Sequence, residues 1–180
     1  PVLGAVAVEG LRVAVSPACA DERAEVRELA SATLSGVLRV GGAASLERER
    51  AEAEAAVRAG TLTLRKARRK AAAAAGSARR SAVTVGATSA RHGDLLRLAA
   101  CLQSRPYDLD SWMEPTLMAL SDAACEPPPL RDTVKRAFQE FRRTHQDTWE
   151  AHVVPALSAE ALEVINECAR GQGASSHMFV

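Results

Sequence analysis

Apolar residues recur at helical spacing in several stretches of this chain, and strand-like alternation persists in none. In DERAEVRELASATLSGVL, Val26, Leu29, Ala30, Thr33, Leu34, Val37 and Leu38 fall at i, i+3, i+4, i+7 and i+8 intervals. That pattern places them on one helix face. Asp21 stands where an N-cap belongs, Glu22 suits the positive end of the helix dipole, and Gly41-Gly42 predicts the stop. RHGDLLRLAACLQS carries Leu95, Leu98, Ala99 and Leu102 on one stripe and ends near Pro106. WMEPTLMALSDAA predicts a third helix, which starts either from a Ser111/Glu114 capping box or nearer Pro115.

After EPPP, LRDTVKRAFQEFRRTH aligns Leu130, Val134, Ala137, Phe138 and Phe141 in a seam. SAEALEVINECAR has Ser158 as its cap, packs Ala161, Leu162, Ile165 and Cys168, and ends at Gly171. The short SAVTVGA stretch reads as loop. The fold class is all-α. Consecutive amphipathic helices joined by short Pro-containing turns suggest a HEAT-type α-solenoid, the C-terminal fragment of a longer superhelix, with an ordinary helical bundle as the alternative. Glu25-Val26-Arg27 and Thr133-Val134-Lys135 sit at like places on their helices and resemble the Asp/Glu-Val-Arg feature of HEAT repeats.

The pattern divides the chain into HEAT-like helices over 1–42, a charged and Ala-rich exposed insertion over 43–88, helical repeats over 89–170, and a flexible tail over 171–180. Within the insertion, LERERAEAEAAVRAG offers little apolar face, and its acids, Glu47 and Glu49 among them, read as solvated. The following tract contains Arg65, Lys66, Arg68, Arg69, Lys70, Arg79 and Arg80 with no acid among them. Two basic clusters around an Ala spacer resemble a bipartite nuclear-import signal. Non-specific polyanion contact, or a merely solvated segment, would use the same charges.

Composition narrows the functional classes. The 180 residues are 47% apolar, 25% charged and 3% aromatic, with a formal net charge of +1. That favours helix and supplies no global field toward nucleic acid or membrane. No run reads as long and apolar enough to span a bilayer. The absence of an initiating Met suggests a piece of a longer chain. Cys19, Cys101, Cys125 and Cys168 lack metal or disulfide spacing and read as reduced thiols. His145 and His152 lack a third zinc ligand, and no nucleophile elbow, P-loop or dinucleotide fingerprint occurs. Neither a catalytic nor a metal site is expected, and the chain reads as a non-enzyme.

The tail GQGASSHMFV ends on Met178, Phe179 and Val180. A Gly/Ser linker followed by hydrophobic and aromatic residues and a carboxylate is a peptide-docking arrangement. A remnant of cloning sequence is the competing reading.

Three stretches together resemble the C-terminal end of the proteasome activator complex subunit 4 family, the large ATP-independent HEAT-repeat activators of the proteasome. They are DERAEVRELASATLSGVL, RHGDLLRLAACLQSRPYDLDSWMEPTLMALS and TVKRAFQEFRRTHQDTWEAH. The resemblance covers residues 20 to 170 in order, and SRPYD…SWM and FRRTH-D-W are its most specific motifs. It implies docking of Met178, Phe179 and Val180 between α subunits of the proteasome core particle. Gate opening would follow, for ATP- and ubiquitin-independent proteolysis, histones included. Phe179 stands where the family has Tyr and lacks a hydroxyl bond of about 0.5–1.5 kcal/mol.

The resemblance also implies residence in nucleus and cytoplasm, with the basic tract at the family's import stretch. No resident cofactor is expected. In the full-length protein an inositol phosphate would have Arg142 and Arg143 as candidate ligands. Animal members are described as reading acetylated histones through an Asn-Phe pair, but Gly41 and Gly42 occupy those positions here, which argues against that partner. Nucleic acid and membrane are not expected partners.

Overall fold

The structure, a computed structural model, describes residues 4–73 and 77–170, with side chains left out of the description at 61–65, 67, 68 and 70–84. Every regular element among the described residues is helical, as the periodicity requires. The chain divides into two compact units, residues 1–101 and 102–180.

In the first unit, α1 (Ala5–Val15) leads through a 3₁₀ turn (Ser16–Ala20) into α2 (Ala24–Ala73), and α3 begins at Ser77 and runs to Ser104. The predicted stop at Gly41-Gly42 is a kink. Gly42 takes φ +73°, a left-handed conformation suited to glycine, and the helix resumes beyond it. The resumed half packs, because Leu46, Ala53 and Val57 are buried. Residues 43–60 therefore do not read as an exposed segment.

The first half of α2 buries Ala30, Leu34, Val37 and Leu38. Leu29, predicted on that face, is 70% exposed. The helix is rotated so that Arg27, Ser31 and Ser35 face inward instead, and Ser31 Oγ donates to the Leu96 carbonyl of α3 at 3.0 Å. SAVTVGA, read as loop, lies inside α3. Its β-branched residues lower helix propensity by only tenths of a kcal/mol each, roughly, and a long continuous helix overrides that.

One window of α2 within Ala24–Gly60 is apolar and long enough to cross a bilayer on length and composition alone, contrary to the sequence expectation. The same helix buries Arg27, Glu49 and Glu54 and packs Leu34, Leu38 and Leu46. Those are marks of a core helix.

The second unit contains α4 (Met113–Ser121), α5 (Leu130–Thr144), a 3₁₀ turn (Gln146–Thr148), a π-helical turn (Trp149–Val153), the short α6 (Val154–Ala156) and α7 (Ala159–Arg170). The whole predicted seam of α5 is buried against α7, which contributes Ala161, Ile165 and Cys168. Ser158 caps α7 by accepting from the Ala161 N–H at 3.2 Å. α4 starts at Met113, two residues before Pro115, with no side-chain cap. Glu114 forms no capping box with Ser111. Its carboxylate instead accepts from the Ser158 hydroxyl at 2.5 Å, which ties α4 to the start of α7.

Candidate interaction surface

Charge is handled differently in the two units. In the first, Glu49 is fully buried, not solvated as its sequence surroundings suggest. It accepts from Arg12 Nη1 at 2.5 Å, Arg97 Nε at 2.6 Å and Ser16 Oγ at 2.9 Å. Arg12 also donates to Glu9 and Glu52. Three elements, α1, α2 and α3, are joined through one carboxylate. The sequence showed a charged helix but could not show that its counter-charges arrive from 37 and 48 residues away.

Glu9 sits at the edge of this network, where Arg12 and then Arg48 hold its carboxyl down at about 2. Arg27 of the HEAT-like triplet is buried and donates to His92 Nδ1 at 2.9 Å and to the Asp21 carbonyl at 2.7 Å. Lys135, at the matching place, is half-buried. The two triplets are not used alike.

The basic tract lies on helix at both of its ends. Arg65, Lys66, Arg68, Arg69 and Lys70 fall in the last turns of α2, and Arg79 and Arg80 in the first turn of α3. Lys66 and Arg69, whose side chains are described, are exposed. Met178, Phe179 and Val180 lie outside the described residues.

In the second unit the two motifs that stood out in the sequence meet. His145 is buried, with Nδ1 2.8 Å from the Phe141 carbonyl at the end of α5 and Nε2 2.9 Å from the Asp108 carbonyl. The ring thereby fixes the loop between α3 and α4 to the end of α5. On that loop Arg105 Nη1 donates to Asp108 at 3.5 Å, and Trp112 Nε1 donates to Asp110 at 3.0 Å. Tyr107 stands 80% exposed at its tip.

One turn earlier on α5, Arg142 leaves the packed seam and lies over Trp149, with Cζ 4.4 Å from the ring centroid. Its Nη1 donates to Asn166 Oδ1 of α7. Arg143 is held by Glu140, donating through Nη2 at 2.7 Å and Nε at 3.0 Å. Both arginines line a cleft of about 630 Å³, together with Trp149, Asn166 and Arg170. Arg142 and Arg143 are therefore neighbours at one opening. Trp149, Asn166 and Arg170 were missed as its partners, although the FRRTH-D-W spacing already put an arginine and a tryptophan seven residues apart. Among the described residues no three His, Cys, Asp or Glu side chains are grouped to hold a metal ion.

A family model described as proteasome activator complex subunit 4-like, C-terminal, matches residues 88–172. The chain is 36% identical over 145 residues to proteasome activator complex subunit 4 of Xenopus laevis, a match covering 81% of this chain. The chain belongs to the proteasome activator complex subunit 4 family. The Homo sapiens protein of the same name is 36% identical over 146 residues, and proteasome activator subunit 4 of Arabidopsis thaliana is 36% identical over 147. The matches take in 8% of the length of the frog and human proteins and 7% of the plant protein, so this chain spans a small part of its relatives.

The family-matched segment contains the His145 tie and the arginine cleft. In this member of the subunit 4 family, Gly41 and Gly42 add no amide or ring to the α2 kink. The positive φ at Gly42 would strain any L side chain placed there.

Proposed function

We propose that this chain is the C-terminal part of a proteasome activator that docks on the proteasome core particle and promotes opening of its gate. The observation that carries this reading is 36% identity over 81% of the chain to proteins named as proteasome activators. The helices act as the last repeats of a HEAT-type solenoid and have no chemistry of their own. Met178, Phe179 and the Val180 carboxylate enter a pocket between α subunits, and their binding energy biases the gate toward open states. The substrates are proteins degraded without ATP or ubiquitin, histones among them.

Under the same reading Arg65, Lys66, Arg68, Arg69, Lys70, Arg79 and Arg80 serve nuclear import, which places the protein in nucleus and cytoplasm. The exposure of Lys66 and Arg69 supports that role.

The test is binding of this chain to purified core particles with and without residues 178–180, with peptide hydrolysis measured in parallel for a full-length activator carrying the same deletion. Loss of both on deletion is the expected result. Unchanged binding and hydrolysis would remove the tail from the mechanism.

A further inference from the structure

The cleft of the second unit holds two arginines that have no carboxylate partner among the described residues. Arg142 is pinned from three segments: its own helix α5, the Trp149 ring of the π-helical turn beneath it, and Asn166 of α7. Trp149 is 8% exposed and Asn166 sits in a packed helix, so the ring and the amide hold the guanidinium at the cleft before any ligand arrives. Its hydrogen bond to Asn166 uses Nη1, which leaves the Nη2 and Nε donors without a protein acceptor among the described residues. Arg170, at the end of α7, has no ion pair or hydrogen bond among the described residues. Arg143 differs, because Glu140 already occupies it.

A guanidinium held by a ring and an amide, with two donors still open, matches the two oxygens of a carboxylate. The charge balance points the same way. Three arginines face Glu150 in the lining and the Glu140 that binds Arg143, which leaves about one net positive charge. That suits one or two carboxylates and is too little for a densely charged polyphosphate. A buried tryptophan under an ordered arginine, with the exposed Tyr107 nearby on the loop fixed by His145, is also the residue set that concentrates binding energy at protein interfaces. Turns of π-helix recur at functional sites, and this one positions the tryptophan.

We propose that this cleft is a docking site for an acidic segment of a protein partner, with one Asp or Glu carboxylate seated on Arg142 and a second reaching Arg170. Within the function proposed above, that partner is the core particle, and the cleft is a docking point separate from the tail. The chemistry of the site does not depend on that reading.

The first measurement is fluorescence anisotropy of a labelled hexaglutamate peptide titrated with the 180-residue chain. Arg142→Lys and Arg142→Gln are each expected to weaken binding about tenfold, because lysine keeps the charge but loses the fork. Arg170→Gln, at an exposed helix end where folding is not at risk, is expected to weaken it about threefold, and Arg143→Gln less. Equal affinity of wild type and Arg142→Lys would overturn the proposal. So would indifference to all three arginines, which would assign the peptide to the basic tract. Displacement of the peptide by inositol hexakisphosphate at lower concentrations than by unlabelled hexaglutamate would also overturn it, in favour of a polyphosphate site.

The second measurement is core-particle binding of Arg142→Gln, of the deletion of 178–180, and of both together. If the chain does not bind core particles while the peptide results hold, the proposed function falls and the carboxylate site stands. If core-particle binding holds and the arginine variants leave the peptide unaffected, the function stands and the site falls.

Discussion

The first unit closes Arg12 and Arg97 onto a buried acid, and the second leaves Arg142 and Arg170 without one among the described residues. Arg12 and Arg97 converge on a buried glutamate, with further acids at the rim. Arg142 and Arg170 meet an aromatic face, an amide and an open cleft. The same residue type thus joins helices in one unit and offers donors outward in the other. Burial decides which: a charge out of water must be matched where it lies, whereas one at a cleft mouth keeps its solvent and can exchange it for a ligand.

Removing the central acid should break that comparison most severely. Glu49→Ala strips Arg12, Arg97 and Ser16 of a shared acceptor at zero exposure, and uncompensated buried charge costs about 3–5 kcal/mol. Urea denaturation should show the unfolding free energy in water falling by that amount. A loss below about 1 kcal/mol would mean that water reaches the network.

Gly93→Ala should come next. A Cβ there would lie 2.7 Å from the Cys19 carbonyl oxygen and 2.9 Å from Ala20 Cα, so the 3₁₀ turn and α3 would have to separate. Overpacking of this kind costs about 1–3 kcal/mol, read as a lowered Tm. By contrast, Arg142→Ala should cost about 1 kcal/mol or less, since its cation–π contact is partly solvated. A larger loss there would make Arg142 a structural residue like Arg12.

Acid should loosen the rim of the first unit. Glu9 ionises near 2 when folded, and an unfolded carboxyl titrates near 4.5, so the folded state binds fewer protons between those values. Its contribution is fully present above about 4.5 and is lost as pH falls toward 2. Glu9→Gln should therefore flatten the acid limb of stability against pH, with little change at pH 7 in its slope.

The cysteines give the mildest test. Burial pushes the thiols up, Cys19 to about 12, Cys168 to about 11 and Cys101 higher still, while Cys125 is exposed. A disulfide reagent such as DTNB should modify one thiol rapidly in the native chain without unfolding it, and the other three only in denaturant. Fast reaction of Cys19 or Cys101 would show that the first unit opens more readily than its core suggests.

Local patterns were reliable where a single helix face faces a single neighbour. The seam Leu130, Val134, Ala137, Phe138 and Phe141 is buried as its spacing requires, and Ser158 caps α7. The candidate site was half legible. Arg142 and Arg143 stood out as a basic pair at a helix end, but nothing local linked them to Asn166 or Arg170 on another helix. Misreadings arose where the deciding partner was distant, as with Leu29, whose face was given up to Arg27 and its bond to His92.

By itself, then, the sequence determined the helical class, the main helix positions in the second unit and the family. Each of these follows from spacing within one turn or two, or from residues read in order. Tertiary structure alone decided that Glu49 is buried, that 81–87 continues a helix, and that Arg142 lies over Trp149 with no acid beside it among the described residues. Those outcomes depend on which charges and rings arrive from remote segments, because the free energy of a charged side chain is set by its final surroundings and not by its neighbours along the chain.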